Sequence, residues 1–235
     1  MFKKIGTKIM LIGAIPIAMF VLLTVLFILP NSRENIYEQK KSQLINMTDI
    51  GLAVLDLYYT KEMDGTLSRI EAQEAAKNAI KNMKYGKNKL DYFWINDFYP
   101  KMIMHPFLPE LDGEDISNYK DPKGVYLFRE MVKVCKAEGA GFVPYEWQYY
   151  DEEGRVEPKL SYVVSFKPWQ WIIGTGIYIN DVNEMVAATR TIIVIIIGGA
   201  AAVMFLIILL FSRTISLSLK RVMEHMTKVS EGGPA

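Results

Sequence analysis

Hydrophobic residues are concentrated at the two ends of the chain. No charged side chain occurs from Ile9 to Leu29 or from Thr191 to Phe211, and each run is long enough to cross a hydrocarbon core of ~30 Å as a helix. A cleaved signal peptide is the alternative for the first run, but this run outlasts the ~7–15 apolar residues of such a peptide. A buried core helix is the alternative for the second, but core helices rarely stay uncharged for so long. We therefore predict transmembrane helices over 9–29 and 191–211.

Basic residues flank the outer ends of both apolar runs. They are Lys3, Lys4 and Lys8 before the first run, and Arg213, Lys220, Arg221 and Lys228 after the second. Because basic flanks stay on the cytoplasmic side of a membrane, residues 1–8 and 212–235 are predicted to be cytoplasmic. Residues 30–190 then form a domain outside the cytoplasm, in a protein that spans the membrane twice and contacts its lipid.

Helical spacing of apolar residues continues beyond Pro30. The positions are Ile36, Leu44, Met47, Ile50, Val54 and Leu57, and they predict a long amphipathic helix that reaches Lys61. The stretch Met63-Asp64-Gly65 breaks this helix. Ser68 followed by Glu71 then forms a capping box that opens a second helix, predicted to end at Tyr85-Gly86.

Five short β-rich runs follow Leu90 and predict an antiparallel sheet. They are DYFWIND, KMIMHP, GFVPYEWQYY, KLSYVVSF and WQWIIGTGIYI, separated by turn-forming residues. Between the second and third runs, DPKGVYLFREMVKVCKAEG predicts a helix with Asp121 as N-cap, Pro122 at the first helical position and Gly139 as its end. Helices followed by strands with one inserted helix indicate an α+β domain.

Alternation along each predicted strand assigns side chains to opposite faces of the sheet. One face of each strand is expected to carry, in turn, Tyr92, Trp94 and Asn96; Ile103 and His105; Val143, Tyr145 and Trp147; and Lys159 and Ser161. The opposite face carries Phe93 and Ile95; Met102 and Met104; Phe142 and Glu146; and Leu160 and Tyr162. Alternation alone leaves open which face meets the core and which could line a pocket.

Composition excludes several functional classes. The single cysteine, Cys135, rules out an internal disulfide framework, and 27 basic against 26 acidic residues without a basic stripe do not suggest nucleic acid. No GxSxG, GxxxxGK[ST] or HExxH motif occurs. His105 and His225, the two histidines, fall on opposite sides of the membrane. We therefore expect neither an enzyme nor a metal or cofactor site, but a domain whose aromatic walls enclose a small molecule.

The ordered motifs of the domain resemble a known family. The run YFWIND, MIMHP, LDGEDISNYKDPKG, GFVPYEW, PKLSYVV and KPWQWIIGTGIYINDV, within Ser42 to Val182, resembles the single Cache domain, type 2, of bacterial sensory receptors. The resemblance implies a PAS-like five-stranded antiparallel sheet with a long N-terminal helix, most often in a methyl-accepting chemotaxis protein. Residues 212–235 are similar to the first helix of a HAMP module, here incomplete and with Ser218 where proline is usual.

The resemblance also implies a ligand and a set of site residues. Family members typically bind small organic acids such as acetate, propionate, pyruvate or lactate. The motifs carry over Trp94, His105, Tyr145, Lys159 and Tyr162 as pocket positions, with Tyr92, Met104 and Phe128 as lining. Strand alternation sends Lys159 and Tyr162 to opposite faces unless a bulge intervenes. Trp94 could instead fill the core, and His105 could be a structural hydrogen-bonding group.

A transmembrane chemoreceptor is the function that these features predict. The domain would close on the acid, and the last strand would pass the signal through Asp181 and Val182 into the second apolar helix. The resemblance further implies a homodimer and a cytoplasmic signalling partner or domain. The alternatives are the input half of a histidine kinase or cyclic-dinucleotide enzyme, and a membrane-anchored binding or assembly module without signalling output.

Overall fold

A computed structural model describes residues 2–230 of the chain. The residues fall into two compact units. One comprises the residues before Ile36 together with those after Met185, and the other is Ile36–Met185. The second unit contains every strand and every predicted site residue, and it is the unit that concerns function.

The N-terminal part of the chain is helical throughout. Helix α1 (Phe2–Leu23) passes through a five-residue π-helical segment, Thr24–Ile28, into α2 (Leu29–Met63). The wider π turn lies directly before Pro30, whose ring would clash with the carbonyl group four residues earlier in a regular α-helix. The predicted apolar helix and its amphipathic continuation are confirmed as helices, and α2 ends two residues beyond the predicted Lys61.

The capping box opens α3 (Arg69–Asn82) as predicted. The Glu71 backbone N–H donates to Ser68 Oγ at 3.4 Å, and the Ser68 N–H donates to Glu71 Oε2 at 2.8 Å. The helix ends earlier than predicted, because Tyr85 leaves it to pair with Asp91 in an isolated antiparallel bridge. Gly86 supplies the positive φ of 71° that turns the chain inside this bridge.

Five antiparallel strands follow, which confirms the predicted sheet. They are β1 (Phe93–Asp97), β2 (Met102–Met104), β3 (Ala140–Gln148), β4 (Val156–Phe166) and β5 (Trp171–Tyr178). Their order across the sheet is β2-β1-β5-β4-β3. Strand β5, the last in sequence, therefore lies in the centre of the sheet, and all eight of its residues are buried.

The helix between β2 and β3 begins later than predicted. It is α4 (Leu127–Glu138), with Tyr126 rather than Asp121 at its N-cap. The buried Asp121 carboxylate instead accepts the Val125 N–H at 2.8 Å and the Glu146 N–H at 3.0 Å. Asp121 thereby ties the loop to β3, and Pro122 belongs to that loop. The predicted end is confirmed, because Gly139 adopts a left-handed φ of 82° at the C-cap.

A single helix, α5 (Ile179–Ser230), follows β5 without interruption. The segments Met10–Met63 and Ile179–Thr227 are each long and apolar enough to cross a membrane, judged by length and composition. The sequence predicted that the terminal helix stops at Gly232-Gly233-Pro234, and those residues lie outside the described part of the chain.

Side chains on the two faces of the sheet form two separate hydrophobic clusters. Tyr92 and Trp94 join the cluster that includes α4, whereas Phe93 and Ile95 join the cluster formed with α2 and α3. This alternation is the one predicted for β1. The sheet is therefore covered on one face by α4 and on the other by α2 and α3.

A bulge changes the predicted faces of β2. Ile95 pairs with Met104 while Asn96 pairs with Met102, so the register shifts between the two strands. Met102 consequently lies in the cluster that includes α4. Met104 lies in the cluster formed with α2 and α3, which we call the helix-side cluster, and Ile103 also packs against it. The predictions that Met102 and Met104 share a face, and that Ile103 shares one with His105, are wrong, because alternation fails at a bulge.

Candidate functional site

Six side chains surround a narrow internal gap on the α4 side of the sheet. They are Tyr92, Trp94, His105, Phe128, Tyr145 and Trp147. About 170 Å³ of space among these side chains is not filled by atoms, a volume that includes space open to solvent, and no part of it is wide enough to hold a water molecule. Five of the six residues were predicted as site residues from the sequence. The structure therefore brings together residues from β1, β3, α4 and the end of β2.

The walls of the gap are mainly aromatic. The Tyr92 ring centroid lies 5.0 Å from the His105 ring, and Trp147 lies 5.7 Å from His105 and 5.8 Å from Phe128. The indole N–H of Trp94 donates to Asn96 Oδ1 at 3.1 Å, so its polar atom is satisfied within the sheet. Trp94 therefore presents an apolar surface to the gap.

His105 is held in one tautomer by the loop that follows β2. Its ring Nδ1 accepts the backbone N–H groups of Leu108 at 2.9 Å and Phe107 at 3.3 Å, and the backbone N–H of His105 donates to Asp112 Oδ1 at 2.7 Å. Because Nδ1 acts as an acceptor, the neutral ring carries its proton on Nε2. Burial, together with the charge of Lys159, lowers the pKa of His105 to about 3. The ring therefore stays neutral at physiological pH and offers one N–H donor.

Lys159 lies one layer beneath the gap, at 2 % exposure. Its ammonium donates to the Tyr92 hydroxyl at 2.8 Å and sits 4.2 Å from the centroid of the same ring. The rings of Tyr178 and Trp94 lie within 4.8 Å and 5.8 Å. Burial lowers the pKa of Lys159 to about 7, and Asp91 opposes this shift only where its carboxyl group is ionised. Within the described residues, no carboxylate forms an ion pair with it.

Three hydroxyl groups, those of Tyr145, Ser161 and Tyr92, complete the polar part of the site. Tyr145 shares a hydrogen bond of 2.9 Å with the fully buried Ser161. Burial raises the pKa of Tyr145, so its phenol keeps its proton. Because Lys159 supplies the hydrogen for its contact with Tyr92, the Tyr92 hydroxyl retains its own hydrogen to donate, either to Tyr178 or to a bound group.

Besides Lys159, which contacts the gap only through its neighbours, two predicted site residues do not line the gap. The Tyr162 ring packs against Phe142, with centroids 4.7 Å apart, on the opposite face of the sheet from Lys159. Met104 lies in the helix-side cluster because of the bulge in β2. Regular alternation along β4 had indicated this placement of Tyr162, whereas the bulge that moves Met104 leaves no clear sign in the sequence.

The sequence prediction missed Trp147 and Ser161. Trp147 contacts three other residues of the gap. The sequence pattern could have identified it, because strand alternation places Trp147 on the same face of β3 as Tyr145. Ser161 shares a face of β4 with Lys159 in the same way. Within the described residues, no group of three His, Cys, Asp or Glu side chains is arranged to hold a metal ion. The site is therefore equipped with hydrogen-bond donors and one amine.

Gly174 allows Trp94 to lie flat against β5. A Cβ at this position would meet the indole ring at 2.4 Å, and a rigid ring cannot move away cheaply. We expect Gly174→Ala to displace Trp94 and lower the free energy of unfolding by roughly 1–3 kcal/mol. Chemical denaturation would measure this loss. Gly198→Ala is the control, because a Cβ there meets nothing within 4 Å, and an equal loss in both variants would contradict the argument.

Comparison with known proteins places the site in a family. The model of the family called Single Cache domain 2 matches residues 36–191. The methyl-accepting chemotaxis protein McpP of Pseudomonas putida is 36% identical over 231 residues, which cover 97% of this chain and 41% of that protein. The sensor histidine kinase MctS of Rhizobium johnstonii is 31% identical over 155 residues, covering 66% of this chain and 32% of the kinase.

A solved structure agrees with these relatives. It is described as the structural basis for carboxylic acid recognition by a Cache chemosensory domain, with 42% sequence identity and a TM-score of 0.59. The similarity covers 62% of this chain and 97% of the solved one. The present chain thus spans about two fifths of McpP and one third of MctS. By its match over 36–191, this chain belongs to the Single Cache domain 2 family of sensor domains.

Proposed function

We propose that this chain is the sensing and membrane-spanning part of a chemoreceptor that binds a small carboxylate in the gap above Lys159. The observation that carries the proposal is the buried ammonium of Lys159, whose hydrogen-bond partner is a phenol and which has no carboxylate in ion-pair range among the described residues. A buried charge is stable only when it is paired, so an anionic ligand would supply the missing partner.

The donors around the gap suit one carboxylate group. His105 Nε2–H, the Tyr92 hydroxyl and the Tyr145 hydroxyl could each donate to an oxygen of the ligand, and such charge-assisted hydrogen bonds are among the stronger ones. Lys159 would act through Tyr92, to which it donates, or directly if Tyr92 turns aside. The gap is too narrow for a water molecule in this structure, so a ligand would enter only as the side chains around it move apart. This requirement favours acids with a short apolar tail, in the class of acetate, propionate, pyruvate and lactate, held against Trp94 and Phe128.

A signal would leave the domain through β5 and α5. Strand β5 pairs with both β1 and β4, which carry Trp94 and Lys159. Helix α5 begins at Ile179, the residue directly after β5. A ligand that prefers one arrangement of these strands would therefore bias the position of α5. We propose that α5 and the N-terminal helix cross the bacterial inner membrane, with the domain on the periplasmic side and the HAMP-like tail in the cytoplasm.

The assembly that would deliver this signal is also a proposal. The carboxylic acid recognition described for a solved relative and the chemotaxis function of McpP support a receptor. We propose a homodimer embedded in lipid, which acts on a cytoplasmic signalling domain or partner. The similarity to MctS favours a second candidate, the input region of a histidine kinase. Both candidates use the same ligand site and differ in the output.

A thermal-shift screen tests the ligand class. The full chain in lipid nanodiscs would be melted with acetate, propionate, pyruvate and lactate, and with propionamide as the neutral, equally shaped control for propionate. An acid present at 100 times its dissociation constant is expected to stabilise the domain by ~2.7 kcal/mol, and propionamide is expected to have no effect. No response to any acid, or an equal response to propionamide, would contradict a carboxylate site.

A further inference from the structure

The hydroxyl group of Tyr150 lies between two carboxyl groups. It is 3.0 Å from Asp91 Oδ1 and 3.0 Å from Asp181 Oδ2. Asp91 precedes β1, whereas Asp181 lies in the first turn of α5. The other oxygen of Asp181 accepts the hydroxyl of Tyr149 at 2.8 Å. These side chains therefore connect the edge of the sensor site to the start of the helix that leaves the domain.

If Asp91 and Asp181 are both ionised, the two contacts of the Tyr150 hydroxyl need one more hydrogen than the phenol carries. A phenol has one hydrogen and can donate it to one carboxylate. At the second contact, a hydroxyl oxygen and a carboxylate oxygen would face each other as two acceptors at 3.0 Å, which is unfavourable. The contact becomes a hydrogen bond if that carboxyl group is protonated and donates to the phenol oxygen.

The surroundings identify Asp91 as the protonated group. Asp181 already accepts from Tyr149, and a negative charge is favourable in the first turn of a helix. Asp91 is held inward by backbone hydrogen bonds of 3.0 and 3.1 Å with Tyr85. Its Oδ2 lies so close above Gly86 that a Cβ there would meet it at 1.8 Å, so the Gly86 backbone covers one side of the carboxyl group.

We propose that Asp91 is protonated in the folded domain and forms, with Tyr150 and Asp181, a proton-dependent clamp that fixes the start of α5. The protonated Asp91 donates to the Tyr150 oxygen, and Tyr150 donates to the ionised Asp181. The clamp goes beyond acid sensing and needs no ligand. It gives the same helix a second input, the pH outside the membrane.

The groups facing the clamp act on Asp91 in both directions. They are Lys40 from α2, Tyr85 from the segment before β1, Lys159 from β4, Tyr178 from β5, Glu184 from α5, and Tyr149 and Arg155 from the β3–β4 hairpin. Burial, and to a smaller extent Asp181, raises the pKa of Asp91, while Tyr150, Lys159 and Lys40 oppose the shift. Arg155 stacks on Tyr149 at 3.8 Å and pairs with Glu152 and Glu157, so it does not displace Tyr149 from Asp181.

The direction of the pH effect follows from the raised pKa of Asp91. A carboxyl group that is harder to ionise in the folded state stabilises that state at low pH. This stability is lost as the pH rises above 3.8, the ordinary value, and through the folded pKa of Asp91. The clamp is therefore closed in acid and weakens as the pH rises. Local opening that releases one proton becomes up to roughly tenfold more frequent per pH unit between 3.8 and the folded pKa of Asp91, and this dependence levels off above that pKa.

Hydrogen exchange of the full chain in lipid nanodiscs, without any acid ligand, tests the clamp. Peptides covering residues 179–186 would be followed from pH 5 to 8, with rates corrected for intrinsic exchange. We expect wild-type protection to fall as the pH rises. Asp91→Asn keeps a neutral donor at every pH, so its protection should stay constant and exceed that of the wild type at pH 8. Its melting temperature at pH 8 should be higher by roughly 2–4 °C.

Two further variants complete the test. Asp56→Asn makes the same substitution at an exposed position on α2 and should follow the wild-type profile. Tyr150→Phe removes the bridging hydroxyl and should abolish the pH dependence even if Asp91→Asn folds poorly. The clamp is refuted if Asp91→Asn is less protected than the wild type with an unchanged slope, which would mean that Asp91 is ionised. A wild-type slope in Tyr150→Phe would refute it as well. Neither result depends on whether an acid binds.

Discussion

Replacing Lys159 by Met is expected to abolish stabilisation by small acids and, at the same time, to make the ligand-free chain more stable at pH 6. The fully buried amine has its pKa lowered from 10.5 to about 7. Stability from the neutral amine is present above pH 10.5 and lost as the pH falls toward 7. Below pH 7, the charged form therefore costs the folded state about 5 kcal/mol, and Met removes this cost while filling a similar volume.

Part of that gain is offset because Tyr92 loses its hydrogen-bond donor, a loss of about 1 kcal/mol. Melting curves of both proteins, with and without propionate, would measure the two effects together. Lys167→Met provides the control, because Lys167 is exposed and should leave both the melt and the acid response unchanged. If Lys159→Met retained the acid response, the amine would not be the partner of the carboxylate.

Acidification is expected to unfold the domain through His105. Its pKa is about 3 in the folded state against an ordinary 6.5, because burial and Lys159 disfavour the charged ring. The stability from the neutral ring is thus present above pH 6.5 and lost as the pH falls toward 3. Between pH 6.5 and 4 the loss amounts to about 3 kcal/mol. Denaturation at a series of pH values would measure it.

A variant comparison separates His105 from the other titrating groups. His105→Asn retains an acceptor for the Leu108 N–H but cannot be protonated, so the acid-dependent loss should shrink by about 3 kcal/mol relative to the wild type. His225→Gln is the matched control, because His225 is exposed on α5. Titration of Lys159 does not contribute to this acid-dependent loss, since it changes the stability between pH 7 and 10.5. Identical pH profiles for His105→Asn and the wild type would show that the ring is already charged in the folded state.

Local patterns in the sequence were sufficient for most of the elements. The uncharged runs, the Ser68–Glu71 capping box and the alternation along β1 depend on neighbours within a few residues, and all three reappear in the structure. The start of α4 was mispredicted for the opposite reason. Asp121 has the chemistry of an N-cap, but its carboxylate bonds to Glu146, 25 residues away. Local propensity contains no information about a partner so distant in the sequence.

In the candidate site, too, local patterns predicted some residues, while contacts between distant segments decided others. Alternation places Trp94, Tyr145 and Lys159 on defined faces, and the family motifs added His105 and Phe128; the structure brings these residues together around or beneath one gap. Met104 was misplaced because the bulge in β2 arises from its pairing with β1. The depth of Lys159 below Tyr92, and the tautomer of His105, depend on contacts between segments that are distant in the chain or held by a folded loop.

The sequence by itself determined the two apolar helices, the α+β order of elements, the family and the face of most strand residues, because these follow from local periodicity and ordered motifs. Only the tertiary structure decided that the ammonium of Lys159 is buried against a phenol and that Tyr150 joins Asp91 to Asp181. The physical reason is that burial and proton sharing are properties of groups brought together from distant parts of the chain, and charge states are set by that environment rather than by residue type.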